Sequence, residues 1–132
     1  MTGGSISPKT TEFISITGGA SISKDLPWEM EGHCVTNVDT EYAIITGGTK
    51  KPKGSIFVNL VTLEMIPGPE LNGKGRKLHA CTYIRRDDGS IYVIAAGGNS
   101  GNVNVRDPLK TTDILRIKDQ SIWNWSKGNK LI

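Results

Sequence analysis

Two histidines, two cysteines and a knot of lysines are the residues of this 132-residue chain whose types could do chemistry. His33 opens "HCVTNV" and His79 opens "HACTYI", each at the start of an apolar stretch, so a metal site is the first idea to weigh. No carboxylate or cysteine set stands at ligand spacing around them, and a histidine that hydrogen-bonds its own turn is the plainer expectation. Cys34 and Cys81 follow those histidines by one and two residues, which places them in opposite registers of their strands. They are expected to be small buried thiols rather than nucleophiles. Two cysteines make no disulfide framework, and a reduced, cytoplasmic setting follows from that reading. "GNSGN" (98–102) lacks the Lys-Ser/Thr of a phosphate cradle and opens no helix, so it reads as a loop. Gly-x-Ser-x-Gly, His-Glu-x-x-His and helical carboxylate pairs are absent from the sequence. The expectation is a non-enzyme with neither cofactor nor metal.

The lysines lie in two places, "TKKPKG" with Lys50, Lys51 and Lys53, and "GKGRK" with Lys74, Arg76 and Lys77. A net charge of +3 and a pI near 8.9 are mildly basic. That suits an acidic protein partner and falls short of a nucleic-acid binder. The longest apolar run, "IYVIAA" (91–96), is far below the ~18 residues of a membrane span, and "MTGGSISPKT" offers no secretory signal.

What positions these residues is a repeated unit marked by glycine pairs. The pairs are Gly3-Gly4, Gly18-Gly19, Gly47-Gly48 and Gly97-Gly98. Sixteen glycines placed at random would give about two pairs, so the flanks must decide. Gly47-Gly48 follows "YAIIT" and Gly97-Gly98 follows "IYVIAA", short unbroken apolar runs that suit strands buried on both faces. His33 precedes Gly47 by 14 residues and His79 precedes Gly97 by 18; the extra residues fall in "RRDDGS" (85–90), a hairpin turn with an Asp-Gly step. Phe57 lies nine residues after Gly48, and Phe13 nine after Gly4. "TTDILRI" (111–117) echoes "TTEFISI" (10–16), and Leu-containing turns follow at "KDLP", "GPEL" and "GNKL". Gly18-Gly19 comes after its strand instead of before it and belongs to a hairpin. Three pairs therefore share a register, spaced 44 and 50 residues apart.

Each unit reads as four short strands, a to d, with no convincing helix. The second unit has a near 33–37, b at 42–46, c at 55–60 and d near 63–66. The third has a at 79–84, b at 91–96, c at 111–117 and d at 121–125. The first keeps only c and d. The domain description is a half blade at 1–32, a second blade at 33–78 and a third at 79–132. A meander with two apolar faces needs a neighbour on each, which is how propeller blades stack.

These residues resemble kelch repeats. Gly47-Gly48 and Gly97-Gly98 match the family's double glycine, with Gly3-Gly4 in the same register. "VNLVTLEM" (58–65) looks like the stretch after it, with Asn59, Thr62 and Met65 in the places of Asp, Thr and Trp. Trp123 falls on the Trp position of the third unit. "RKLHA" (76–80) looks like the family's Arg-x-x-His at the mouth of the innermost strand, a place where Arg76 would be structural. The resemblance implies a kelch-type β-propeller and a protein-binding role. A closed propeller needs roughly four to eight blades, so two and a half form an incomplete ring, and the expectation is a portion of a longer protein. Met1 stands where the last isoleucine of "IITGG" would stand. Exposed end faces would make the isolated chain self-associate. Some kelch-like propellers are enzymes, such as the copper oxidase of galactose; two repeat-equivalent histidines cannot supply such a site.

In an up-and-down meander the b–c loops and the d–a connections share one end. Parity thus gathers Lys50, Lys51, Lys53, Lys74, Arg76 and Lys77 there, opposed mainly by Glu70. That end is either a surface for an acidic segment of a partner protein or a solvated rim. Trp28, in "LPWEME", is either an anchor for the partner or a wedge between blades. Trp125 alternates with Trp123 and would face the other side of strand d. The two functional readings are a protein-interaction module and a structural remnant with no autonomous function.

Overall fold

The computed structural model describes residues 10–14, 21–38, 42–100, 108–117 and 125–127. Among these there is no helix, and every named strand pairing is antiparallel. The first unit is the hairpin β1 (Thr10–Ile14) with β2 (Ser21–Asp25). The second is a meander of β3 (Cys34–Val38), β4 (Tyr42–Thr46), β5 (Ser55–Asn59) and β6 (Met65–Pro67). β7 (Arg76–Lys77) leads to the third unit, β8 (Ala80–Arg85), β9 (Ile91–Ala96), β11 (Thr112–Ile117) and β12 (Trp125–Lys127), again a four-stranded meander. β10 (Asn99–Ser100) leaves that meander to pair with β7, a two-stranded link that the strand-by-strand reading did not include. The expected strand d at 121–125 lies mostly outside the described residues, as do Gly3, Gly4, Gly18, Gly19 and Trp123.

The repeat is visible in register as well as in order. Phe13 pairs with Ile22 and Phe57 with Ile66, and both isoleucines stand more than half exposed at the sheet edge. Leu26 and Leu71, from the equivalent turns, are each 1% exposed, one in each core cluster. The backbone takes positive φ just before each histidine, at Gly32 and Leu78. Turn chemistry follows the residue types. Asn59 Oδ1 accepts from the N–H groups of Val61 and Thr62, and Asp88 Oδ1 accepts from the N–H and the hydroxyl of Ser90, beside Gly89 at positive φ.

Two cores lie on the two faces of the second meander. One face presents Val38, Ile44 and Phe57 to Ile91, Val93, Ala95, Leu115 and Ile117 of the third. The other presents Ala43, Ile45, Ile56 and Val58 to Leu26 and Met30 of the preceding connection. β4 is therefore buried on both faces, as expected. β9 was expected to be buried on both faces too, but it alternates fully and partly buried positions along its length. The reason is place in the stack: the second meander stands between two neighbours and only one face of β9 meets another meander.

The glycine pair has a steric cause. A Cβ on Gly47 would stand 2.2 Å from the carbonyl oxygen of Arg76 and 2.6 Å from the His79 ring. Gly48 donates its N–H to that same carbonyl at 3.0 Å, with φ +110°. The double glycine is where the connection to the next unit crosses the end of strand b at backbone distance, which no side chain permits.

Candidate functional site

Cys34 and Cys81 overturn the first expectation. They form a disulfide across the two meanders, with Cα atoms 6.0 Å apart and a sequence separation of 47. Their opposite registers do not keep them apart. In a stack, the front face of one sheet meets the back face of the next, so opposite register brings them together. Cys34 shares a face with the buried Thr36 and Val38, while Cys81 shares one with Tyr83, which packs into the same core as Val38. The expectation of a reduced, cytoplasmic setting rested on free thiols and loses its basis, since such bonds persist in oxidising surroundings. No helix of the described residues is long and apolar enough to cross a membrane.

His79 also differs from expectation. His79 bonds outside its own turn: its Nε2 and Thr46 Oγ1 share a hydrogen bond of 2.8 Å, joining the third unit to strand b of the second. Burial lowers its pKa to about 4, with the charges of Arg76 and His33 adding to that and Asp113 opposing it. The folded protein thus binds this proton less readily than the unfolded chain. Stability is full above pH 6.5 and falls as pH drops from there to about 4, by roughly 3 kcal/mol at the limit. Urea midpoints taken across that window check it, and His79→Gln should flatten the slope. Among the described residues no group of three His, Cys, Asp or Glu side chains is placed to hold a metal.

Arg76 leaves the proposed surface altogether. It is 2% exposed, and its Nη2 lies 2.7 Å from Asp113 Oδ2. Nε donates to the same oxygen, Nη1 to the carbonyls of Gly97 and Thr111, and Nη2 also to Thr111 Oγ1. Asn72 donates to Asp113 Oδ1, so the carboxylate is satisfied on both oxygens. The main chain of Arg76 bonds Pro52 and Gly48 of the second unit, while its side chain bonds Gly97, Thr111 and Asp113 of the third. One residue thereby stitches two units. Loop parity put it at the rim, whereas its Arg-x-x-His position implied a structural place; the strand end it occupies points between the sheets.

The remaining cations do gather at one end. A cleft of about 410 Å³ opens there, walled by Trp28, Pro52 and Pro67 and rimmed by Lys51, Lys53, Lys74 and Glu70. Gly54 admits the indole: a Cβ at that position would come within 2.7 Å of Trp28 Cζ2. Lys51 Nζ sits 4.4 Å from the centre of the Trp28 ring, within cation–π range. Trp28 is half-buried and packs on the core of the second meander. Its Nε1 is buried, with no protein acceptor among the described residues. Two cations are held by carboxylates of the same end, Lys53 by Glu70 at 3.3 Å and Lys50 by Glu29 at 3.8 Å. Lys77 is half-buried on β7 and does not line the cleft. Glu29 was missed in the sequence reading; parity places it on the same d–a connection as Trp28 and could have found it.

Comparison with protein-family models and with curated proteins finds no match.

Proposed function

We propose that the chain is part of a kelch-type β-propeller and acts as a protein-interaction module, with the cleft beside Trp28 taking an acidic segment of a partner protein. The observation that carries this reading is the convergence of Trp28, Lys51, Lys53 and Lys74, from three separate connections, on one cleft. An indole wall offers apolar area, and the lysines offer charge that steers an anionic segment into place. The stacked meanders support the propeller reading. Single exposed ion pairs are worth about 0.2–1 kcal/mol, so affinity is spread over several lysines.

The test is partner capture followed by binding kinetics at low and high salt. Lys50→Glu with Lys51→Glu is expected to slow association and flatten its salt dependence. Capture that ignores these lysines and is lost on altering 85–90, at the other end of the meanders, would place the site on the wrong end. A second reading, a portion of a larger propeller with no activity of its own, is supported by the outer face of the third meander, where Ile84 is 51% exposed. Light scattering decides between them: concentration-dependent association with no partner capture would favour this second reading.

A further inference from the structure

The cleft contains its own carboxylate. Glu70 stands on the rim with its side chain 73% exposed, and it holds Lys53 at 3.3 Å. Its place is fixed by the chain on either side of it. Ser55 Oγ donates to the carbonyl of Pro69, and Leu71 is anchored in the core with its N–H on the carbonyl of Lys53. The acid thus sits on a pinned segment, opposite the very lysine whose backbone holds that segment. Lys74 enters no ion pair among the described residues, and Lys51 is spent on the Trp28 ring. Of the three rim lysines, then, Lys53 alone is occupied by a carboxylate.

We infer that Glu70 is an internal competitor, its carboxylate filling Lys53 in the free protein and giving way to a carboxylate of an extended acidic partner segment whose apolar neighbour lies against Trp28. This rests on the function proposed above and adds the residue that sets its affinity. The competing contact is solvent-exposed on both sides, so displacement is cheap, and an exposed pair can be exchanged without opening the core. Charge complementarity selects the occupant: the rim carries three lysines against one acid, and the apolar walls are an indole and two prolines, which suit a proline or aliphatic side chain beside the acid.

The probe is a synthetic peptide of alternating glutamate and proline, with its glutamine counterpart as control, titrated against the folded chain by calorimetry at two salt concentrations. Glu70→Gln is expected to tighten binding of the glutamate peptide about two- to fivefold and to leave the glutamine peptide unaffected. Glu64→Gln makes the same change in net charge on the turn that leads into β6, at the opposite end, and should change little. In a Lys53→Gln background the gain from Glu70→Gln should vanish. Wild-type binding that is unchanged or weakened by Glu70→Gln, or equally tightened by Glu64→Gln, overturns the competitor role while leaving the acidic-segment reading intact. A wild-type chain that shows no preference for glutamate over glutamine removes both.

Discussion

Asp113→Ala should lower the stability of the chain by about 3–5 kcal/mol, because it leaves the Arg76 guanidinium buried without its counter-charge. Both side chains are 3% exposed, so water cannot take the place of the lost partner. In a chain of this size that is a fall in melting temperature on the order of 10 °C, measurable by calorimetry. The repeat itself supplies the compensating variant. In the preceding unit Met30 stands where Arg76 does, three residues before the histidine, and Ile56 stands where Asp113 does, opposite the second-last residue of strand b. Met30 and Ile56 are both buried in one apolar cluster. The same crossing is therefore built once with an apolar pair and once with an ion pair. Arg76→Met combined with Asp113→Ile should recover much of the loss from Asp113→Ala. Recovery stays incomplete because the carbonyls of Gly97 and Thr111 lose the donors that Arg76 provides. A double variant less stable than Asp113→Ala would contradict this.

Cys34→Ser with Cys81→Ser should cost about 4 kcal/mol, the chain-entropy value for opening a loop of this length. The link joins strand a of one meander to strand a of the next, so its loss acts on the contact between them. Denaturation midpoints with and without reductant check this. Wild-type protein should shift down on reduction and the double variant should not respond. Peptide mapping under non-reducing conditions should recover one fragment carrying both cysteines. Equal midpoints for reduced and oxidised wild-type protein would count against the bond as a brace.

Much of the fold was legible because its signals are local. "YAIIT" and "IYVIAA" gave strands b at the residues where the structure has them, and the Asp-Gly step of "RRDDGS" gave the hairpin turn. Asn59, singled out only as standing in the place of an Asp of the kelch stretch, caps the turn. The relations that cross between units were not legible in the same way. Parity within a strand is readable, but which face meets which neighbour depends on the stack, and this misplaced Cys34 and Cys81. Loop parity put Arg76 with the surface lysines although its Arg-x-x-His position implied a structural place, and its side chain turns inward to Asp113. Asp113 drew no attention because an acidic residue in a strand usually points to solvent. The cleft was half legible: loop parity brought Lys51, Lys53 and Lys74 to Trp28's end, while the contacts of Glu70 and Glu29 needed coordinates.

The most direct measurement of the central claim is hydrogen exchange of the folded chain with and without the glutamate-proline peptide. Slowed exchange confined to 50–55 and 68–75, and reversed by high salt, is the result expected of an acidic segment held in the cleft beside Trp28. Protection at 85–90, or along the outer face of the third meander, with 50–55 and 68–75 unchanged, would contradict it.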